Sequence, residues 1–566
     1  MLRRKFLGAF LVYALLLPMA AFAQSVSTEG QAASAAKVYA APAEVIEKIR
    51  DEGMNRSEIM NTLSYLVDVI GGRLTNSPNM KRANEWTRDT MANWGMENAR
   101  LEPWGPFGRG WSLKNFHAQV VEPQAIPLIA YPKAWSPSTD GPVTGEVVYL
   151  EVGTEDDLAK YKGKLNGKIV LISPTREVKA DFDGFGTRRS DESLAKMAEM
   201  PNPNAAPRGQ QQRNAAQLEA FLKNQQKSAR LANFLINEGV AVLVDNSSKG
   251  SGGTIFVSGA SVARPIPESI EDIFGSRRPA PWLKESEGRM VPQMTMASED
   301  YHRLVRMIKH GVTPKMNVNI DAQYHDDDLM GYNTVAEIPG TDPDLKDEIV
   351  MLGAHLDSWH AAGGATDNAS GSAVAMEAAR ILLASGLKPR RTIRVALWSG
   401  EEQGLNGSRE YVKQQFGEMK GAPAFGPPAA DAPKPELIKT ANYDKLSAYY
   451  NLDNGTGRIR GVYLQGNEAV KPYFEAWLRP FHDLDAKWLT LSNTGGTDHL
   501  SFDRIGLPGF QFIQDEIEYS TRTHHSNQDN YDRIQADDMK QAATIMAAFV
   551  YQTAMMDEKI PRKPMN

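Results

Sequence analysis

Five residues of the kinds that hold metal ions recur at one kind of place in the chain. His355 closes the apolar run Ile349-Val350-Met351-Leu352-Gly353-Ala354. Glu401-Glu402 follow the run 392–398, Asp453 follows 446–451, and His524-His525 come after 509–513. Asp367 stands at the mouth of a helical stretch that reaches Gly386. Open α/β sheets present their ligand groups at the carboxyl ends of strands, and each of these residues lies past a strand-like run or at a helix mouth beside one. His355, Asp367, Glu402, Asp453 and His525 together make two imidazoles and three carboxylates without sulfur. That donor set suits zinc and, less selectively, cobalt or manganese. It is too large for one catalytic zinc. It suits two ions that share one carboxylate at a spacing of roughly 3.5–4 Å and acidify a water between them. Glu401 is then left over as a general base for that water's proton. Taken singly, a His at a strand end or a Glu-Glu pair is ordinary. The weight lies in the ordered set falling on one edge of one sheet.

The elements that must position this set are legible as alternating patterns. From Asn333 onward strands and helices alternate, with strands at 349–355, 392–398, 446–451 and 509–513 and a closing amphipathic helix over 537–556. The fold class expected is α/β, a mixed, mostly parallel sheet with helices on both faces. Earlier, helical periodicity covers 43–51, 56–70 and 81–94, and 98–104 and 115–121 look extended. The character changes near Pro127. Strand-like runs at 145–150, 167–172 and 240–244, helices at 229–238 and 299–309, and an alternating run at 316–320 suggest a second unit. Between 176 and 226 lies a polar stretch rich in Asn, Gln, Arg and Pro, read as a surface insertion with a Gln run at 210–212. Residues 421–435, rich in Ala and Pro, read as a loop or a lid over one edge.

The chain has 566 residues, 42% of them hydrophobic, enough for two domains with a sizeable core. There is no Cys, which excludes disulfides and thiolate zinc sites. Residues 1–23 read as a secretory signal, with Arg3-Arg4-Lys5, the apolar core 6–17, and Ala21-Phe22-Ala23 before a cut at Gln24. The other reading is a membrane anchor, for which the run is short. Cleavage near Ala23 predicts a periplasmic or secreted protein without stable membrane insertion, preceded by a flexible segment over 24–42. Net charge is −6, and no basic tract points to nucleic acid.

The motifs His355-x-Asp357, Asp367-Asn368-x-Ser370-Gly371, Glu401-Glu402-x-Gly404-Leu405-x-Gly407-Ser408, Asp453-Asn454, Thr497-Asp498-His499 and His525-Ser526-x-x-Asp529 resemble, in order, those of the dinuclear zinc exopeptidases. That family includes bacterial leucyl aminopeptidases, glutamate carboxypeptidase and carboxypeptidase Q. The resemblance implies a zinc aminopeptidase-type domain over 43–126 and 321–566. It implies two zinc ions per chain, one on His355 and Asp453 and one on Glu402 and His525, with Asp367 bridging. Glu401 would be the base. Asp357 would orient His355 from behind, and Asp367–Asn368 would be a cis peptide. Asp498 and His499 would take a supporting or substrate-facing role. Some members carry a Tyr before the last ligand; His524 stands there and would stabilise the oxyanion or merely pack. His360, nearby in sequence, is read as a surface residue. Residues 127–320 resemble a smaller β-rich α/β protease-associated domain inserted into the peptidase.

The function expected is hydrolysis of terminal peptide bonds by metal-activated water, with peptides as substrates and a homodimer possible. Aminopeptidase comes first and carboxypeptidase or dipeptidase second. A one-zinc glutaminyl cyclase and a non-catalytic binding protein on the same fold are the alternatives. The complete ligand set and Glu401 argue against both.

Overall fold

The computed structural model describes residues 38–152, 155–203, 215–275, 279–421 and 434–564. The expected signal segment, most of the flexible segment behind it, the Gln run at 210–212 and most of the 421–435 loop lie outside the described residues.

One eight-stranded mixed sheet carries the strand ends singled out above. Its spatial order is Glu97–Trp104, Gly331–Ile338, Thr392–Trp398, Ile349–His355, Leu446–Asn451, Gly509–Gln514, Ile459–Tyr463 and Trp488–Thr490. The four strands from Thr392–Trp398 to Gly509–Gln514 run parallel, and antiparallel strands flank them on both sides. Every residue of Ile349–His355 is buried. A central parallel strand covered on both faces has no use for polar alternation, so its sequence is one unbroken apolar run. On one face Ile349 and Met351 pack with Tyr411, Phe416, Tyr449 and Phe502. On the other, helix Ser370–Ala384 lies against the strand and against helices Ala43–Asn55 and Ala536–Met555. Truncating Met351 to Ala would cost roughly 2–5 kcal/mol.

Helix Pro78–Asn93 starts where sequence chemistry says it should. Ser77 caps it by accepting from the Met80 amide, and Pro78 occupies the first turn. Helix Ser370–Ala384 needs Gly371 for a different reason. A Cβ there would overlap the Leu452 carbonyl oxygen, so glycine lets the helix start sit against the strand that delivers Asp453.

A second eight-stranded sheet has the order Ile126–Pro127, Gly110–Glu122, Lys315–His325, Val143–Tyr149, Ile169–Leu171, Val242–Asn246, Gln293–Met296 and Ala130–Pro132. Gly110–Glu122 and Lys315–His325 pair antiparallel along their lengths. Entry to and exit from this region therefore run side by side, and the second sheet takes in residues on both sides of 127–320. Its core is Val147, Ile169, Leu171, Val242, Val244, Met294 and Met296, under Tyr301, Leu304 and Val305 of helix Ser298–Lys309.

The polar stretch over 176–226 differs from the sequence reading. It contains helix Asp191–Ala198 and the first half of helix Ala215–Asn237. The shorter one buries only Leu194 and is capped by the Ser190 hydroxyl, so it has almost no apolar stripe to detect. No helix among the described residues is long and apolar enough to cross a membrane.

Candidate metal centre

The four parallel strands end on one side of the sheet, and the titratable groups collect there. His355 is the last residue of its strand. Glu401-Glu402 begin the loop after Trp398, and Asp453 comes two residues after Asn451. Asp367 lies in the turn before helix Ser370–Ala384, where the Asp367–Asn368 bond is cis, as the family resemblance implied. His525 belongs to the long loop that follows Gly509–Gln514.

The set divides around Asp367. Its Oδ1 is 3.3 Å from His355 Nε2, and the same nitrogen is 3.3 Å from Asp453 Oδ1. Its Oδ2 is 3.2 Å from His525 Nε2, which is 2.9 Å from Glu402 Oε2. Each oxygen of one carboxylate thus faces a different imidazole. His355 Nε2, Asp367 Oδ2, Glu402 Oε1 and Asp453 Oδ1 are buried and have no hydrogen-bond partner. Buried polar atoms are ordinarily satisfied. Four carboxylates, counting Glu401, converge here on two imidazoles, and buried negative charge calls for cations. Orphaned atoms, donor types and two groups of converging donors, His355-Asp367-Asp453 and Asp367-His524-His525, fit metal ions, zinc among them.

The surroundings fix this geometry. His355 Nδ1 lies 2.9 Å from the main-chain carbonyl of Asp357, while the Asp357 carboxylate is 3.6 Å away. That carboxylate instead accepts from the amides of Glu401 and Glu402, both at 3.3 Å, and from the Thr75 hydroxyl at 2.8 Å. Asp357 therefore ties the His355 strand to the Glu401-Glu402 loop. Asp529 does the same for the shared residue, accepting from the Thr366 amide at 2.7 Å and the Asp367 amide at 3.1 Å. Arg73, fully buried, donates to the carbonyls of Leu356, Gly363 and Gly364. Asp529 stood in the quoted motif without a role. Arg73 gave no sequence signal beyond following Gly71-Gly72.

Glu401 stands beside the ligand groups, with Oε2 4.0 Å from His355 Nε2. Burial pushes its carboxyl well above the usual range, reinforced by Asp453, Asp498 and Glu402 and opposed by His355. Burial alone would lower the His525 imidazole, but Glu402 and Asp367 outweigh it and push it up to about 11. His524 stacks on His525 with ring centres 3.7 Å apart, and its Nε2 is 3.8 Å from Asp367 Oδ2. It is brought to the centre and is partly open to solvent.

Asp498 and His499 are both fully buried. His499 Nε2 is hydrogen-bonded to Gln465 and the Thr494 carbonyl, and burial pushes its imidazole down to about 4. His360 is not the surface residue expected. It packs edge-on to Trp111 and Tyr131, with Nε2 2.7 Å from the Pro132 carbonyl. An aromatic patch between the two sheets claims it, which its sequence neighbours do not reveal. Trp359, also unremarked in the sequence, places its ring 5.7 Å from that of His525.

The model of peptidase family M28 matches residues 333–550. Carboxypeptidase Q of Pongo abelii is 25% identical over 529 residues, covering 93% of this chain and 91% of its own. The solved Peptidase M28 precursor from Shewanella amazonensis SB2B covers 92% of this chain and 99% of its own, at 21% identity and a TM-score of 0.59. BSAP, a zinc aminopeptidase from Bacillus subtilis, covers 89% and 96% at 17% identity and a TM-score of 0.51. These two likenesses establish the mixed α/β fold.

Proposed function

We propose that the chain, whose residues 333–550 match the model of peptidase family M28, is an exported zinc exopeptidase with two zinc ions. The observation that carries this reading is the division of Asp367, with Oδ1 3.3 Å from His355 Nε2 and Oδ2 3.2 Å from His525 Nε2. His355 and Asp453 would hold one ion, Glu402 and His525 the other, and Asp367 both. When bound, a zinc pair supplies an acidified water and polarises the scissile carbonyl. Glu401 takes the proton of the attacking water on its carboxylate and returns it to the departing amine. Its main chain is held for this task by Asp357. His524 donates toward the oxygen on which charge develops. Asp529 and Arg73 keep the Asp367 turn in place.

The terminus recognised follows from unpaired charge at the rim. Glu516 and Glu518 would greet a free amine, but Glu516 pairs with Arg189 at 3.1 Å and Glu518 with Arg533 at 3.2 Å. Lys249 Nζ stands 4.3 Å from the centre of the Phe256 ring, with no carboxylate partner among the described residues. It donates to the Ser520 carbonyl at 2.9 Å, four residues before His524. We therefore read the substrate's free carboxylate as lying toward Lys249, which makes the enzyme a carboxypeptidase or dipeptidase. The end-to-end similarity to Carboxypeptidase Q supports this order over the aminopeptidase preferred from sequence. The second sheet is read as a protease-associated insertion walling the cleft, and export as periplasmic, with a mature chain beginning at Gln24.

The test is a panel of free, N-blocked and C-blocked dipeptides, with wild type beside Glu401→Ala. Cleavage of free and N-blocked peptides by a carboxypeptidase, or of free dipeptides alone by a dipeptidase, lost in a variant that still holds two zinc ions, is the expected result. Cleavage of free and C-blocked peptides only would make it an aminopeptidase. No cleavage by fully loaded wild type would overturn the exopeptidase reading.

A further inference from the structure

The two imidazoles of the centre are anchored differently. His355 sits in a strand bonded on both sides. His525 sits in a loop, in a left-handed conformation at φ 60°, which a non-glycine residue rarely adopts unless its surroundings hold it. What holds it comes from the loop between strands Val242–Asn246 and Gln293–Met296 of the second sheet. The Val257 amide donates to the His525 carbonyl at 2.9 Å, and Phe256 bridges Ser526 in antiparallel fashion. Asn527 then closes the pairing from both directions. Its amide donates to the Ile255 carbonyl at 3.1 Å, and its Oδ1 accepts from the Ile255 amide at 2.8 Å. Its Nδ2 donates to the Gly253 carbonyl at 3.2 Å. Segment 253–257 is itself secured, because the Phe256 amide donates to Ser247 Oγ and Ala134 pairs with Ser258 and Ala260. At the other end of the same loop, Thr187 and Ile517 exchange main-chain hydrogen bonds at 2.9 and 2.8 Å.

We propose that segment 253–257 is a splint that fixes His525 between Asp367 and Glu402, and that Asn527 is the positioning residue that locks it. The loop that strands Val242–Asn246 and Gln293–Met296 carry is then part of the metal centre. Ile255 is buried and Asn527 touches no ligand group, so the pair acts only through the backbone of the loop. The inference rests on the two-zinc reading. Partners that orient a metal ligand from behind are typically worth about 10–100-fold in metal affinity. Here that loss is confined to the His525 half.

The test is zinc titration of the full-length apoprotein against a chromophoric chelator. Wild type, His525→Ala, Asn527→Ala and Asn527→Asp are compared, with a thermal melt of each. His525→Ala identifies the constant of the His355–Asp453 half. Asn527→Ala is expected to keep that constant, to weaken the other about 10–100-fold, and to regain activity in excess zinc. Asn527→Asp keeps the oxygen that accepts from Ile255 and is expected to restore most of the loss. It also carries the test should the Ala variant fail to fold. Two zinc ions bound by Asn527→Ala with unchanged constants would overturn the splint alone. A parallel loss of both constants would also overturn it, as general damage. A wild type that binds one zinc, or a His525→Ala variant that binds like wild type, would overturn the two-zinc reading and the splint with it.

Discussion

The centre has a buried half and an open half. His355 and Asp453 are 1% and 7% exposed and stand at the ends of parallel strands. His525 and His524 are 32% and 37% exposed and stand in a loop tied to segment 253–257, while Glu402, which faces His525, is 2% exposed and follows a parallel strand. Strand ends are positioned by ladders on both sides, so the buried half is as rigid as the core. The open half must admit substrate, so it cannot be enclosed in that way, and main-chain hydrogen bonds from a neighbouring region replace the missing ladder. Asp367 joins the two, and Asp529 holds Asp367 from below. One metal centre thus draws its order from two independent sources.

The largest expected effect bypasses the comparison and fixes its baseline. Glu401→Gln touches neither half's ligands, so it should lose about 10²–10⁴-fold in kcat with zinc content unchanged. Metal analysis beside a rate assay checks it, and loss of zinc would make Glu401 a ligand.

Acid should act at buried imidazoles, one of them, His499, beneath the buried half. Burial holds His499 neutral at about 4, against about 6.5 in an unfolded chain. Between those values the unfolded chain binds more protons, so stability is full above about pH 6.5 and falls as pH drops toward 4. The loss is up to about 3 kcal/mol. Tm against pH should flatten by this one share in His499→Gln, while His360, whose imidazole burial also pushes down to about 4, keeps its own.

Asp529→Ala should strike both halves at once, because Asp367 serves both. It leaves the Thr366 and Asp367 amides buried without partners, at a cost of about 1–3 kcal/mol. Both zinc constants should weaken together. Weakening of one alone would mean that Asp367 is not shared.

The smallest effect belongs to the open rim. Lys249→Ala should raise KM for peptides with a free carboxylate about fivefold, on the order of 1 kcal/mol. It should leave kcat and C-blocked peptides alone. Equal effects on blocked and free peptides would remove Lys249 from recognition.

Much of this was readable along the chain. Apolar runs ending in His or acid located the four parallel strands and the edge where ligands collect, because both strand burial and strand-end placement leave local patterns. The absence of Cys and the imidazole–carboxylate set pointed to the donor chemistry. Helix Asp191–Ala198 was not readable, since burying one Leu leaves no stripe. His360 was misplaced because the aromatic patch around it is assembled from Trp111 and Tyr131, far away in sequence.

The sequence by itself determined which residues could serve and on which edge, since periodicity is set by each segment's own burial. Only the tertiary structure decided that Asp367 turns one oxygen to each imidazole, that Asp357 holds the Glu401-Glu402 loop, and that segment 253–257 supports His525. These are hydrogen bonds and approaches between segments tens to hundreds of residues apart. Main-chain donors and acceptors are the same at every residue, so no side-chain pattern announces which of them will meet.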